Sequence, residues 1–593
     1  MNRNTESHFS LLPHADISRS RFDRSASVKT TFNVGDIIPF FVEEVLPGDT
    51  FDVKTSKVVR LQTLLTPVMD NLYLDTYYFF VPNRLVWDHW KEFCGENTES
   101  AWIPATEYSI PQLISPDAKD AQTQKRGWKV GTIADYMGIP TGVGYLAVNA
   151  LPFRAYALIM NEWFRDQNLQ DPLVVPTDDA QVTGVNTGTF VTDVAKGGLP
   201  YKASKYHDYF TSCLPSPQKG PDVTVPLAQS GFLPVVPRGE AIPASMLPPA
   251  IADGTTYTLS GYYVGDSGQK NSGFAGVASA TPDESDGSVA WRLDKSKYLT
   301  TMNPDMVSGG GFSPTNLWAY TDGNAVAATI NQLRLAFQIQ KFYEQQARGG
   351  SRYTEVVRSF FGVTSPDARL QRPEYLGGNR VPITINQVIQ QAGVASVETG
   401  RIISPLGDVA GQSLTTDSHS DFLKSFTEHG YVIGVMVARY DHTYQQGLNR
   451  MWSRKDKFDF YWPVFANIGE QAVKNKEIYA QGAGVMNSAG GSVDNEVFGY
   501  QEAWAEYRYK PSIVTGEMRS SYAQTLDAWH FADYYSQLPT LSESWIQEDK
   551  SNVDRALAVS SNLSNQLFCD IYVRNYVTRP MPMYSIPGLI DHH

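Results

Sequence analysis

Two stretches of the sequence interleave basic side chains with aromatic rings, a combination that could hold single-stranded nucleic acid. The first is LNRMWSRKDKFDFYW (448–462), and it contains Arg450, Trp452, Arg454, Lys455 and Lys457. The second is ARGGSRYTEVVRSFFG (347–362), and it contains Arg352 and Arg358. Bases stack on exposed rings while Lys and Arg neutralise phosphates, which binds a strand without sequence preference. The same residues could be solvated loop charges beside core aromatics, so two interpretations stay open.

Histidines next to carboxylates are the other candidates for chemistry, at His207-Asp208, Asp441-His442 and the terminal Asp591-His592-His593. None has the HExxH spacing or the third ligand of a zinc site, so we expect surface or structural roles. The sequence has no G-x-S-x-G elbow, Walker loop or strand-linked G-x-G-x-x-G, and its 62 acidic residues nominate no carboxylate pair. It therefore predicts no catalytic residue, no metal ligand and no cofactor.

A third feature is the density of rings in LYLDTYYFFVPNRLVWDHWKEFCGE (72–96). Such rings could form the floor of a sugar- or base-binding site, a core, or a surface buried by another subunit. The nearly continuous apolar run up to Val81 is typical of a strand covered on both faces. After Pro82, apolar residues recur at helical spacing, which indicates an inter-subunit contact, with intramolecular core as the alternative. The candidates for that contact are Val86, Trp87, Trp90 and Phe93.

Short strand-like runs make up most of the pattern around these residues. TFDVKTSKVVRL (50–61) is closer to period two than to 3.6, and similar runs return after Gly350. Two helices interrupt the strands. LPFRAYALIMNEWFRDQN (151–168) has one apolar stripe, and TINQLRLAFQIQKFYEQQARGG (329–350) ends at paired glycines. Many strands separated by long connections predict an antiparallel sandwich with elaborated loops.

Composition agrees with a strand-rich chain. Of 593 residues, 19% are charged and 12% aromatic, with 46 Gly and 35 Pro, which suits strands and long loops. The three cysteines are far apart, which excludes a disulfide scaffold and fits a reducing compartment. The N-terminus has no signal-like apolar region, and the longest apolar runs are too short for a bilayer, so we expect a soluble protein without membrane insertion. A net charge of −13 argues against nucleic-acid binding over the whole surface.

The chain divides into four parts by amino-acid composition and pattern. Residues 1–30 form a basic arm, whose Arg19, Arg21 and Arg24 are candidate nucleic-acid contacts. Residues 226–314 are rich in Gly, Ser, Ala and Pro and poor in Leu and Lys, which indicates a surface insertion. Residues 31–225 and 315–593 are then the two parts of the core.

Several long blocks resemble the major capsid protein of microviruses, and the insertion is similar to that of the gokushovirus branch. The blocks are PFRAYALIMNEWFRDQNLQDP (152–172), KYHDYFTSCLPSPQKGP (205–221), FYEQQARGGSRYTEVVRSFFGV (342–363), DHTYQQGLNRMWSRKDKFDFYWPVFANIGEQAVKNKEIYAQG (441–482), FGYQEAWAEYRYKPS (498–512) and TRPMPMYSIPGL (578–589).

The resemblance implies a mainly β fold, a single eight-stranded antiparallel jelly roll with very long inter-strand loops and a few helices. It implies a T=1 icosahedral shell of sixty copies with pentameric contacts around a circular single-stranded DNA genome. The insertion would build protrusions at the three-fold axes that contact the host cell, with a surface receptor as partner. The chain would be made and assembled in the cytoplasm of a bacterial host and would end in the virion capsid, with an internal scaffolding protein as a further partner.

The charge of the chain adds one inference about partners. A subunit at −13 does not neutralise a packaged genome, so we expect a small basic DNA-binding protein or polyamines to supply countercharge. The arm and the two basic clusters would add local contacts to the DNA. The alternative function is a carbohydrate-active or carbohydrate-binding β-sandwich that uses exposed rings as sugar platforms.

Overall fold

The computed structural model describes residues 18–98, 106–117, 119–120, 124–221, 330–350, 352–363, 371–391, 406–407 and 409–584, and the backbone of short strands at 235–319, 394–395 and 402–404. The chain divides into two compact units. One comprises Met1–Lys219 and Tyr343–His593, and the other comprises Gly220–Phe342. The described fold is mainly β with few helices, as predicted.

Eight long strands in the first unit form two antiparallel sheets. They are β1 (Ala26–Phe32), β2 (Asp36–Val45), β3 (Thr50–Leu61), β4 (Leu72–Pro82), β5 (Glu374–Pro382), β6 (Thr415–Ser425), β7 (Gly430–Tyr440) and β8 (Leu567–Arg579). The first sheet has the order β1-β8-β3-β6, and the second has the order β2-β7-β4-β5. The short strand Ser20–Asp23 pairs with the end of β8, and Tyr201–Lys202 pairs with the start of β2.

The two sheets differ in how their faces are covered, and the sequence explains the difference. In β3 and β8 buried and more exposed residues alternate, so the first sheet buries one face against the second sheet. In β4 and β7 nearly every residue is buried. Tyr78 and Val432 face the core between the sheets, whereas Phe79 and Val435 face a second core on the opposite side. The continuous apolar run in β4 is therefore confirmed as a strand covered on both faces.

The helix α1 (Leu151–Ile159) supplies much of that second core. Pro152 lies in its first turn, and Phe153, Tyr156 and Met160 are buried, as the predicted apolar stripe requires. A turn of π-helix, Met160–Phe164, continues it. Tyr156 donates a hydrogen bond from its hydroxyl to the Ile37 carbonyl at 2.5 Å, which ties the helix to β2.

The remaining regular elements lie in the connections. The α-helices are Trp90–Phe93, Ile133–Tyr136, Phe190–Asp193, α2 (Ile330–Gly349), α3 (Tyr353–Phe361), Asn475–Ile478, Glu543–Ile546 and Ser551–Asp554. The 3₁₀ turns are Asn83–Leu85, Val194–Lys196, Arg450–Ser453, Lys457–Asp459, Pro463–Phe465, Val493–Asn495, Ala505–Tyr507, Gly516–Met518 and Asp527–Trp529. The minor strands of the first unit are Gln112–Ile114, Ala147–Asn149, Val182–Thr183, Ile385–Ile389, Val394–Ala395, Ile402–Ser404, Val409–Ser413, Thr443–Tyr444, Glu470–Lys474, Val497–Glu502 and Ser512–Ile513. The predicted helix at 329–350 is confirmed in α2.

The part of the second unit that the structure describes includes short strands paired in three small sheets. Val235–Pro237 pairs with Leu317–Ala319, and Trp291–Leu293 pairs with Leu299–Thr301. Thr258–Val264 pairs with both Lys270–Gly276 and Phe312–Pro314. No helix among the residues described in either unit has the length and apolarity to cross a membrane.

The sandwich of the two long sheets is closed on one side and open on the other. On the closed side β5 and β6 pack together: Lys424 lies 3.0 Å from Glu374, and a Cβ at Gly377 would come within 2.3 Å of the Asp421 carbonyl. On the open side a cleft of about 1000 Å³ separates β1 from β2, and the segment around Tyr136 lines it. The outer edges of β1 and most of β2 bear no paired strand in the described part of the chain.

The expected N-terminal arm is corrected for its described residues, 18–30. Residues 20–23 and 26–32 are strands paired with β8 rather than a separate segment. Their alternation of partly buried residues, from Val28 to Phe32, places one face of β1 on the core. The earlier part of the arm, residues 1–17, lies outside the described residues.

Candidate binding surface

Exposed rings concentrate in the connection between β7 and β8. We call the aromatic surface the exposed side chains of Met451, Trp452, Phe458, Phe460, Tyr461, Trp462, Val464, Ile468 and Tyr507. Val464 is 88% exposed and Trp452 71%, although both are residue types that are normally covered. Exposed apolar patches of this kind mark places where another molecule binds.

Short-range hydrogen bonds fix the shape of the loop that carries these rings. Asp456 accepts the Phe458 amide at 2.8 Å, and Asp459 accepts the Lys455 amide at 2.7 Å. Asp459 also accepts the Asp456 amide, and the two backbone hydrogen bonds to Asp459 lower its pKa, so the carboxyl is ionised at neutral pH. The Trp462 indole N–H donates to the Lys457 carbonyl at 2.8 Å. The rings are thus held by the loop's own turns.

Ring contacts join the members of the surface to one another. Tyr461 lies 6.3 Å from Tyr507, centroid to centroid, and 5.7 Å from Trp504. The Arg454 guanidinium lies 4.3 Å from the centre of the Tyr507 ring and 5.2 Å from that of Phe460. One face of each of these two rings is therefore covered by an arginine of the same chain.

The two arginines predicted to face DNA here are neutralised inside the chain. Arg450 lies 3.1 Å from Glu477, and Arg454 lies 3.2 Å from Glu506, which Arg450 also approaches at 3.7 Å. All four side chains are largely buried. Lys455 and Lys457, by contrast, are exposed. The structure therefore brings the predicted basic residues together with carboxylates that the sequence pattern did not indicate.

The second basic cluster has the same character. Arg352 lies 3.3 Å from Glu162 and 3.1 Å from Glu355, and its side chain is mostly covered. Arg358, two turns along α3, is exposed. At the other end of the chain, Arg24 pairs with Glu43 at 2.8 Å.

Two further N-terminal candidates lie at the surface. Arg21 is exposed beside the Tyr576 ring, 4.4 Å from its centre, and lies 3.6 Å from Asp52. Arg19 is exposed near Gly48. Their role in contacting DNA stays a prediction.

The residues expected at a subunit contact fall into two groups. Val86 and Trp87 have no exposed surface, and the Trp87 indole donates to Asp179 at 2.6 Å. The expectation is corrected for these two, because side chains enclosed by their own chain offer nothing to a neighbour. Trp90 is half-buried and Phe93 is exposed, and their role as a subunit contact stays a prediction.

A buried ionic cluster, not predicted from the sequence, lies between the long loops. It consists of Lys205, His442, Asp533 and Glu548. His442 donates from Nδ1 to Asp533 at 3.1 Å and from Nε2 to Glu548 at 3.0 Å. Lys205 lies 3.1 Å from the second oxygen of Asp533. Asn552 and Tyr535 also donate to Asp533, at 2.7 and 2.9 Å.

The charges of this cluster stabilise one another. Burial alone would lower the pKa of His442, but the charges of Asp533 and Glu548 raise it to about 10. Burial would raise the pKa of Asp533, but Lys205 and His442 hold it well below its usual range. A histidine that stays protonated at neutral pH is a poor general base, so the cluster is suited to joining segments. The described residues contain no group of His, Cys, Asp and Glu arranged to hold a metal ion.

Comparison with known proteins identifies what the chain is similar to. The model of the family described as capsid protein (F protein) matches residues 10–589. The capsid protein VP1 of Chlamydia phage 1 is 43% identical over 605 aligned positions, which cover 98% of both chains. VP1 of Spiroplasma virus 4 is 41% identical, covering 98% of this chain and 97% of the relative, and VP1 of Bdellovibrio phage phiMH2K is 38% identical, covering 99% and 98%.

Proposed function

Because the chain belongs to the capsid protein (F protein) family and is a structural capsid protein of microviruses, we propose that it closes into a T=1 icosahedral shell of sixty copies around a circular single-stranded DNA genome. The observation that carries the proposal is the match over nearly the whole length of three capsid proteins. The resemblance to microvirus capsid proteins found in the sequence is thereby confirmed. Family membership favours this structural role over the carbohydrate-binding alternative.

We propose that the two long sheets are the halves of a single eight-stranded jelly roll. Numbered along the chain, the strands have the orders 1-8-3-6 in one sheet and 2-7-4-5 in the other, and consecutive strands change sheet except at β4 and β5, which are neighbours. That order supports the proposal, because each sheet combines strands from both ends of the eight-strand sequence, as a rolled-up antiparallel ribbon does. The connections are very long, since β4 ends at Pro82 and β5 begins at Glu374.

We further propose that residues 226–314 form a protrusion at each three-fold axis that contacts the host cell. The existence of a separate compact unit, Gly220–Phe342, supports the idea that this part of the chain is an addition to the shell-forming part. Surface loops that accept insertions also tolerate changes in sequence. That tolerance suits a surface that binds a variable receptor.

Inside the shell, we propose that DNA is neutralised mainly by a small basic protein or polyamines, and that an internal scaffolding protein assists assembly. The net charge of −13 supports this division of labour. Of the basic candidates, Arg19 and Arg358 are exposed and lie outside the aromatic surface. They are the better candidates for phosphate contacts than Arg352, Arg450 and Arg454, whose charges are matched by carboxylates.

Sedimentation velocity combined with negative-stain microscopy of the purified full-length protein tests the proposal. Shells, or pentamers that convert to shells when a scaffolding partner is added, are the expected result. A monomer at every concentration, with and without that partner, would contradict it.

A further inference from the structure

We propose that the aromatic surface is a contact between copies of this chain and not a stacking platform for DNA. The inference rests on the proposed function, because a shell requires each subunit to contact several others through different patches. It assigns to this surface a protein partner, a second copy, in place of the nucleic acid that the sequence pattern suggested.

The distribution of charge gives the first argument. Single-stranded DNA is held when free cations neutralise its phosphates. Beneath the rings, however, Arg450 and Arg454 already share Glu477 and Glu506. Two more ion pairs involve residues next to the aromatic surface in sequence. Glu470, which follows Ile468 closely, pairs with Arg348, and Arg508, which follows Tyr507, pairs with Glu502.

The exposed charges of the loop also alternate in sign. Lys455 and Lys457 are separated by Asp456 and followed by Asp459, and low pKa keeps Asp459 ionised. A phosphate that approached either lysine would meet a carboxylate one or two residues away. The surface therefore lacks the excess positive charge that binding of a polyanion requires.

The chemistry of the side chains gives the second argument. Val464, Ile468 and Met451 are aliphatic or thioether groups with no π face on which a base could stack. Tyr507 and Phe460 each have one face against Arg454, and the Trp462 indole N–H is already bonded to its own chain. A mixture of exposed aliphatic and aromatic side chains is typical of the centre of a protein interface, which becomes buried on association.

If the partner is a second copy of the chain, two sets of variants should behave differently than if the partner is DNA. Val464→Asp places a charge at the most exposed apolar residue of the surface, and because the side chain is 88% exposed we expect the fold of the single chain to be unchanged. The double variant Lys455→Glu, Lys457→Glu removes the exposed positive charge. Leu563→Asp is the matched control, since Leu563 is similarly exposed and lies outside the aromatic surface. Each full-length protein is assayed by sedimentation velocity, thermal melting and the nucleic-acid content of any shells.

The expected result is that Val464→Asp melts like the wild type but raises the protein concentration needed for assembly by about tenfold or more. The lysine double variant and the Leu563→Asp control assemble at the wild-type concentration, and the shells of the double variant retain their nucleic acid.

Three results would overturn the inference. Normal assembly of Val464→Asp would show that the surface is not a subunit contact. Shells of the lysine double variant that form normally but lose nucleic acid would assign the surface to DNA. A wild-type protein that melts as a folded chain but never assembles would contradict the proposed function itself. Melting and sedimentation of the wild type detect that outcome without any variant.

Discussion

His442 and Trp452 lie close together in the sequence, yet their surroundings are opposite. The His442 side chain is 1% exposed and held between two carboxylates, while Trp452 is mostly exposed and has no enclosing core. In the ionic cluster, charge is buried, and the buried Tyr440 ring lies 4.5 Å from the His442 ring, centroid to centroid. In the aromatic surface, charge is paired beneath and the rings face outward. The first arrangement holds one chain together, and the second leaves apolar area for another molecule.

This contrast predicts that the two regions separate stability from assembly. Substitutions in the ionic cluster should change the free energy of unfolding of the single chain. Substitutions in the aromatic surface should leave that free energy nearly unchanged and alter association. The following experiments test the contrast, from the largest expected effect on stability to the smallest.

Asp533→Ala should lower the free energy of unfolding by about 3–5 kcal/mol, because it leaves His442 and Lys205 buried without their shared carboxylate. Denaturant unfolding of the unassembled chain measures the change. Asp171→Ala, at an exposed aspartate, is the control and should change stability by less than about 0.5 kcal/mol. Equal effects of the two variants would refute the central role of the cluster.

The cluster should also make stability depend on pH in a defined direction. The pKa of His442 is raised from 6.5 to about 10, so its contribution is complete below about pH 6.5 and is lost as the pH rises towards 10. The expected slope is at most about 1.4 kcal/mol per pH unit in that window. Asp533, whose pKa is lowered, adds stability that is lost as the pH falls below its ordinary value of 3.8.

Comparison of wild type with His442→Gln isolates the histidine contribution, because the other titrating groups are common to both proteins. The difference between their free energies of unfolding should shrink as the pH is raised from about 6.5 to about 10. A difference that stays constant across this range would show that His442 is not held protonated in the folded chain.

Glu506→Gln should have an intermediate effect, a loss of about 1.5–3 kcal/mol, because Arg450 and Arg454 both use this largely buried carboxylate. The variant keeps the shape of the side chain and removes its charge. Glu517→Gln, at an exposed position, controls for the loss of one negative charge. If Glu506→Gln were as stable as its control, the arginines would not depend on that carboxylate.

Trp452→Ala should have the smallest effect on stability, less than about 0.5 kcal/mol, because most of the ring is outside the core. Its association should weaken measurably in sedimentation velocity at the protein concentration where the wild type assembles. A large drop in melting temperature would instead show that Trp452 stabilises the single chain, as His442 does, and would contradict the contrast between the two regions.

Much of the fold could be predicted from local pattern. The continuous apolar run of β4 and the helical stripe of α1 each depend on residues within one element. The sequence pattern therefore predicted the burial that the structure shows there. The short apolar segment after Pro82 did not follow this rule. Val86 and Trp87 are enclosed partly by residues such as Asp179, far along the chain, and helical spacing alone does not reveal that partner.

The chemistry of the candidate sites could be predicted only in part, for the same reason. Basic residues among rings identified the segment that carries the aromatic surface, since both features lie in one stretch of sequence. The carboxylates that neutralise Arg450 and Arg454 come from Glu477 and Glu506, in other segments. Likewise, the neighbouring Asp441 suggested a partner for His442, whereas the actual partners are Asp533 and Glu548.

The open cleft between β1 and β2 has a consequence for the life of the chain before it associates. Unpaired strand edges are templates for uncontrolled pairing between molecules. Here Lys29 lines the β1 side of the cleft, Arg24 forms an ion pair with Glu43 on the β2 side, and Pro39 offers no amide hydrogen to an incoming strand. Charges and a proline thus make the cleft a poor nucleus for aggregation between chains that have not yet associated.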